Sequence, residues 1–380
     1  MFPNLKKHFS LDKSITYLNH GSFGACPKPI FDNLIMWQKK LENEPVKHLV
    51  FDIYPLLEKS REALGEYIGC HKDDIIFSPN PSTALNTVIK SLKLKKDDEI
   101  LTTDHEYGAL DKTWNFICKK TGAKYIQSKI SLPLTSNDDF IKQFMTKLSK
   151  KTKVIFMSHI TSSTGLIFPA EKICKIAREK GILCIIDGAH VPGHIKLNIA
   201  KLNPDVYVGA CHKWMCSPKG VSFLYVKKSI QDSIDPLVIS WGYDAEEPGH
   251  SKFLDYHQWQ GTNDLSAYLT IPFTIEFLKK NNWETVSKKC KEMNLWARTE
   301  INRLLNNEPI CSDNFLGQMS SIELNFSNPI KSQINFYKKY KIQLPFMLWR
   351  EKSLIRISIQ AYNKKEDVFK LLDALKKEYC

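Results

Sequence analysis

Two short segments end apolar runs in side chains that could do chemistry: Ile185-Ile186-Asp187-Gly188-Ala189-His190 and Gly209-Ala210-Cys211-His212-Lys213-Trp214. In the first, the run terminates in a carboxylate followed by a small-residue turn. A carboxylate buried without a partner is expensive, so Asp187 calls for a cation or for hydrogen-bond donors. A protonated aromatic nitrogen would serve. Lys213 follows 26 positions further on, again behind small residues. Partly desolvated and near other cations, its ammonium gives up the proton more easily, and the free amine can attack an aldehyde. A ring carrying both an aldehyde and a protonated nitrogen would draw electrons from whatever is bonded to it. Singly, each residue has a plainer reading, since a strand-end Asp often caps a turn and Lys213 is one of 54 Lys and Arg. In this order, with His190 between them, they form a constellation.

The elements that must position these groups can be read from the periodicity. Apolar runs at Ile75–Ser78, Glu99–Thr103, Lys124–Ile130, Lys153–His159, Leu183–Asp187, Val206–Ala210 and Val221–Val226 read as strands. Several are apolar at nearly every position, as strands buried on both faces must be. Helical patterns lie between them: Ser82–Leu92, Ala109–Thr121, Asp139–Leu148, Ala170–Lys180 and Ile195–Leu202. The alternation predicts an α/β fold, a three-layer sandwich around a mostly parallel sheet. Ligands of such sheets bind beyond the carboxyl ends of the strands, where Asp187 and Lys213 fall. After about residue 264 the texture changes to helices Asp264–Lys280 and Trp283–Leu305, then Met319–Phe326, helix Ile330–Tyr340, strand Leu354–Ala361 and helix Glu366–Glu378. A large domain over 21–262 and a smaller C-terminal α+β domain over 263–380, with 1–20 packing on the latter, is the expected organisation. Near the start, Ile30, Leu34, Trp37 and Leu41 recur at helical spacing as a packing stripe.

Composition narrows the classes. A chain of 380 residues with 43% hydrophobic and 25% charged residues has the make-up of a globular protein. The net charge of +13 is spread along the chain as Lys pairs, with no basic block, zinc-finger spacing or RNA-binding signature, so no nucleic-acid partner is expected. The ten cysteines include no CxxC pair, no metal site is expected, and they read as thiols in a reducing compartment. No apolar run reaches the ~18 residues a membrane span requires, and the N-terminus shows no signal peptide, so the expected location is cytoplasmic.

A further loop supports the ligand reading. In Asn80-Pro81-Ser82-Thr83-Ala84, the hydroxyls and N–H groups of Ser82 and Thr83 stand where a helix begins, a place that favours an anion. A plain N-cap would look the same.

Asp187-Gly188-Ala189-His190 followed by His212-Lys213-Trp214 resembles the cofactor site of the class V aminotransferases, fold-type-I enzymes dependent on pyridoxal 5′-phosphate (PLP). The opening Tyr17-Leu18-Asn19-His20-Gly21-Ser22-Phe23-Gly24 resembles the isopenicillin-N-epimerase-like branch, and the similarity runs from about residue 17 to 363. The resemblance implies that Lys213 carries PLP as a Schiff base and shuttles the Cα proton, and that Asp187 pairs with the pyridinium. It implies that His190 faces the phenolate oxygen, that Ser82, Thr83 and His212 contact the phosphate, and that Tyr107 of His105-Glu106-Tyr107 stacks on the ring. Ser162, in Ser158-His159-Ile160-Thr161-Ser162, falls where the family contacts the cofactor or substrate, although many relatives carry Asn there. Arg356, on Leu354-Ile355-Arg356-Ile357-Ser358, corresponds to the arginine that binds the substrate carboxylate, with Asn19 and His20 also on the substrate side. Thr262, in Gln260-Gly261-Thr262-Asn263, matches a segment lent across a dimer interface, which implies a homodimer with shared sites.

The implied function is PLP chemistry on an amino acid through a Cα carbanion, with an aminotransferase- or epimerase-like outcome. The alternative is β-elimination by a C–S lyase or desulfurase. A desulfurase of the thiol-dependent kind needs a cysteine shortly before the arginine, and Lys341 to Arg350 contains none. A non-catalytic PLP-fold binding protein would be expected to have lost the lysine, the aspartate or the arginine, and all three are present.

Overall fold

A strand that is apolar at every position needs cover on both faces, and the fold supplies it. The computed structural model describes residues 5–380. Its central sheet contains β1 (Ile75–Ser78), β2 (Glu99–Thr103), β3 (Lys124–Ser128), β4 (Thr152–Ser158), β5 (Leu183–Asp187), β6 (Val206–Ala210) and β7 (Ser222–Val226). The spatial order is β1-β7-β6-β5-β4-β2-β3. Strands β2 to β6 pair in parallel, whereas β7 runs antiparallel between β1 and β6. One face, with Ile100, Phe156, Ile185 and Val208, packs against α3 (Pro81–Ser91) and α4 (Gly108–Thr121). The other, with Met157, Ile186, Tyr207 and Phe223, is covered by α2 (Ile53–Ile68) and α6 (Ala170–Glu179). Helices on both faces make the three layers expected from the sequence.

Because β2, β4, β5 and β6 run the same way, Thr103, Ser158, Asp187 and Ala210 finish along one edge. Ser158 is the register partner of Asp187. The small residues after Asp187 have a steric reason: a Cβ on Gly188 would lie 2.1 Å from the hydroxyl oxygen of buried Tyr207.

A second, antiparallel sheet contains β8 (Met319–Glu323), β9 (Phe346–Trp349) and β10 (Lys352–Ser358) in the order β9-β10-β8. It sets Arg356 opposite Ser321. The N-terminal segment is stitched to this part of the molecule: Thr16–Tyr17 pairs with Ile342–Gln343, and Asn19 bridges Ser358.

Several elements depart from the sequence reading. The strand expected over Lys124–Ile130 stops at Ser128. The helix expected over Ile195–Leu202 begins only at Ile199, where the Asn198 side chain accepts from the Lys201 N–H at 2.8 Å and caps it. The pattern Asp264–Lys280 divides into Ser266–Leu269 and Ile271–Lys280, since Pro272 has no N–H to continue the ladder. Helix α1 (Lys28–Asn43) carries the expected stripe, of which Ile30 alone is fully buried. The π-helical turn Lys47–Asp52 leading into α2, and α2 itself, were not anticipated.

Gly188→Ala forces a methyl group into Tyr207. It should cost about 1–3 kcal/mol, the range for overpacking a tight interior, measurable as a lowered midpoint in urea unfolding. A midpoint equal to the parent's would mean that the turn has room.

Candidate active site

The indole N–H of Trp214 can only donate, and it reaches Nδ1 of His190 at 3.2 Å. Burial holds His190 well below the usual histidine range, so its ring is neutral and its single proton sits on Nε2. That Nε2 lies 3.2 Å from Nζ of Lys213. An imidazole N–H facing a nitrogen needs a lone pair there, and an ammonium has none. The arrangement therefore accommodates the free-amine form of Lys213, which burial brings within reach of neutral pH. Its pKa falls to about 8 because burial, aided by the charge of Arg356, outweighs the attraction of Asp187. The aromatic support continues beneath, with the His194 ring 4.1 Å from that of Trp214.

The backbone under Lys213 is fixed by the N-terminal segment. His20, fully buried, faces the Lys213 carbonyl through Nε2 at 3.0 Å, while its Nδ1 accepts from the Ala25 N–H at 3.2 Å. Tyr362 Oη lies 3.1 Å from the same Nδ1. Both ring nitrogens are thus committed to the protein, and His20 supports the lysine from below where the resemblance had implied a substrate contact. Gly24 crosses close by at φ +62°, and a Cβ there would come within 2.3 Å of the His212 carbonyl oxygen. His212 itself points Nδ1 at the Val221 carbonyl oxygen, 2.8 Å away. That carbonyl fixes its proton on Nδ1, so its Nε2 can donate to a phosphate only when the ring is charged, and burial lowers its pKa to about 4.

Asp187 is buried, accepts from the Ala189 N–H at 2.9 Å, and is raised above the ordinary carboxylate range by desolvation. Lys213 is near enough to oppose that rise. One step along the strand ends lies Glu106, a carboxyl the sequence reading passed over in favour of its neighbour Tyr107. Tyr107 stands at the start of α4 with about half its surface exposed (48%).

At the N-terminus of α3 the cap is Asn80, whose Oδ1 accepts from the Thr83 N–H at 2.8 Å and the Thr83 hydroxyl at 3.1 Å. Ser82, half-buried in the same turn, accepts from the Asn86 side chain through its carbonyl oxygen at 2.9 Å. Arg356 is 2% exposed and hangs between two segments. Nη1 donates to the Ser162 carbonyl oxygen at 2.5 Å and lies 3.5 Å from its Oγ; Nη2 donates to Ser22 Oγ at 2.9 Å. Ser22 in turn donates to Asn19 Oδ1 at 2.6 Å. The buried Nε of Arg356 has no partner, and burial brings the guanidinium pKa down to about 10. Arg356 lies close enough to depress both Lys213 and His190. Thr262 is exposed and forms no hydrogen bond with these groups. A separate cavity of about 430 Å³ near Trp37 and His48 shares none of these residues.

A small ring bearing an aldehyde and a phosphate fits this set. The depressed amine of Lys213 and the buried carboxyl of Asp187 lie near enough to feel each other's charge, Arg356 acts on the same amine, and its orphaned Nε lacks an acceptor. Over residues 26–371 the chain matches the family model described as aminotransferase class-V. The chain belongs to that family. It is an enzyme, and its cofactor is PLP.

The chain is 30% identical to isopenicillin N epimerase of Amycolatopsis lactamdurans, covering 99% of this chain and 98% of that protein. It is 26% identical to hercynylcysteine sulfoxide lyase of Schizosaccharomyces pombe, over 99% and 97%. Among solved structures it matches the apo cysteine desulfurase of Thermococcus onnurineus NA1 with a TM-score of 0.84 at 20% identity, covering 98% of this chain and 96% of that one. It also matches a C-DES mutant with glycine covalently linked to the PLP cofactor, with a TM-score of 0.85 at 19% identity, over 99% of both chains. The last two likenesses establish the fold.

Attachment of PLP to the cofactor-free protein should speed up about tenfold per pH unit below the Lys213 pKa and level off above about 8. Stopped-flow absorbance reads this directly. A profile still climbing toward the ordinary lysine value of 10.5 would mean that the site does not deprotonate its amine.

Proposed function

We propose that the enzyme acts on a small α-amino acid at Cα, with an epimerase- or aminotransferase-like outcome. The observation that carries the reading is the convergence of three groups: the free amine of Lys213, the buried carboxylate of Asp187 and the part-satisfied guanidinium of Arg356. PLP, when bound, supplies the electron sink. Asp187 would keep the ring nitrogen protonated. Arg356 would hold the substrate carboxylate, exchanging bonds to Ser162 and Ser22 for stronger charge-assisted ones. Lys213, released from the cofactor by substrate, would move the Cα proton, with His190 steering its amine. Ser82 would contact the phosphate and Tyr107 would cover the ring from its exposed position. We further propose a cytoplasmic homodimer in which Thr262 completes the partner's site, and a large unit over 21–262 set against a smaller one over 263–380.

A second reading, β-elimination of a sulfur group, is favoured by the lyase relative. A thiol-dependent desulfurase is disfavoured by chemistry. The hairpin before Arg356 turns through Arg350 and Glu351 with no cysteine. Cys211 and Cys216, nearest Lys213 in sequence, are buried thiols pushed well above the usual thiol range.

Incubation with a panel of L- and D-amino acids, followed by product analysis, separates the outcomes: enantiomer, keto acid, or sulfide with keto acid. Lys213→Ala should abolish turnover, and an undiminished rate would remove it from the mechanism. Arg356→Ala should raise KM about 10- to 100-fold, the effect of losing a hydrogen-bonded charge partner, and an unchanged KM would place the carboxylate elsewhere. Mixing Lys213→Ala with Thr262→Ala subunits should restore part of the activity, whereas no recovery would confine each site to one chain.

A further inference from the structure

Glu106 sits on the loop after β2, 6% exposed, with no lysine, arginine or histidine in ion-pair distance among the described residues. Its Oε2 accepts from the Ser158 N–H at 2.8 Å and the Ser158 hydroxyl at 2.6 Å, and its Oε1 accepts from the Thr103 hydroxyl at 2.6 Å. Ser158 is the residue beside Asp187 in the β4–β5 register. Glu106, Ser158 and Asp187 thus form a row across the strand ends, with a carboxyl at each side of one serine. The neighbouring His105 turns away, its ring bonded to Thr164 and to the Ile130 carbonyl oxygen. From β3, Tyr125 is near enough to feel the Glu106 charge, and its hydroxyl bonds Asp111. Among the described residues only Lys213, beyond Asp187, offers a cation to this row, and it does so in its protonated form, below about pH 8.

We propose that Glu106 is a positioning residue for Asp187, a buried carboxylic acid that keeps one proton at neutral pH so that Asp187 can stay ionised toward the cofactor ring. Two carboxylates sharing a water-poor space and a single cation cannot both ionise cheaply, so the proton settles on the one farther from the cation. Asp187 has Lys213 and would have the ring nitrogen; Glu106 has only an N–H and two hydroxyls, and the Thr103 hydroxyl, turned round, can accept the proton of the neutral acid. Burial first, then the Asp187 charge, takes the Glu106 pKa to about 8 against the hydrogen bonds that lower it. The device gives Asp187 a neutral neighbour at pH 7 and a negative one above pH 8, when the field at the ring nitrogen strengthens. It rests on the reading of Asp187 as the ring partner, but its first and deciding test is a titration made without cofactor or substrate.

Carbon NMR of the cofactor-free, full-length protein with carboxyl-labelled glutamate identifies the resonance missing from Glu106→Gln. That signal should titrate near 8, and in Asp187→Asn its midpoint should fall, because a negative neighbour is gone. A midpoint near the ordinary 4.5, or one that Asp187→Asn leaves unmoved, overturns the proposal. PLP retention supplies the second reading. At pH 7 Glu106→Gln, which mimics the protonated acid, should hold the cofactor within about twofold of the parent. Glu106→Ala, which strips Ser158 and Thr103 of their acceptor, should weaken it about tenfold, equivalent to one lost hydrogen bond. Equal weakening in both variants would mean that the charge, and not the neutral acid, is what the site requires. Failure of the amino-acid screen above would leave this titration intact, so the two ideas fall separately.

Discussion

An amine attacks an aldehyde only while its nitrogen holds a lone pair, and everything else in this molecule depends on the withdrawal of water that gives Lys213 one. The cost is spread over several elements. Trp214 fixes the tautomer of His190, His190 presents its remaining proton to the lysine, and His194 backs the indole. Desolvation lowers the amine while it raises Asp187 and Glu106. The same desolvation acts with opposite sign on bases and acids and brings the Lys213 amine and the Glu106 carboxyl to similar values. That is the condition under which protons pass between groups at little cost.

The N-terminal segment is as much part of the site as the central sheet. His20 holds the Lys213 carbonyl, Gly24 passes over the backbone of His212 and Lys213, and Lys219 donates to the Gly24 carbonyl at 2.6 Å. Ser22 reaches Arg356 on the second sheet. A stretch of a few residues therefore joins two β-sheets through their functional side chains. Gly24 is there because backbones meet too closely for a Cβ, while Gly21 is hemmed in by the side chains of Ser358, Met319 and Trp214.

The central sheet was legible because its strands are buried on both sides. Val154-Ile155-Phe156-Met157 can be nothing but interior, and Glu99–Thr103, Leu183–Asp187 and Val206–Ala210 begin and end where their patterns do. Helix α2 was not legible: its apolar residues are interrupted by Glu58, Lys59, Arg61 and Glu62, and it is entered through a π turn that breaks the 3.6-residue period. Lys213 and Asp187 could be picked out because a charged group at the end of an apolar run demands an explanation; Arg356, in the middle of its strand, was legible only through the family resemblance. Glu106 lacked that signal, standing between His105 and Tyr107 in a loop that looks exposed; only the register of β4 on β5 brings it beside the site. His20 could be located but its role could not, since a histidine's duty is set by what each nitrogen faces.

The two serines on Arg356 are place-holders. If Arg356 takes the substrate carboxylate as proposed, its arrival would exchange the partners of the two outer nitrogens and supply the acceptor that Nε lacks. Such swaps are close to thermoneutral for a neutral amide, which offers no charge in return, and favourable for an anion. On the proposed role of Arg356, the resting contacts would favour acids over their amides. One of the displaced partners, Ser22, belongs to the strap that carries His20. On that reading ligand entry would tug on the same strap that grips the lysine backbone, a mechanical link between the substrate's acid group and the reactive nitrogen.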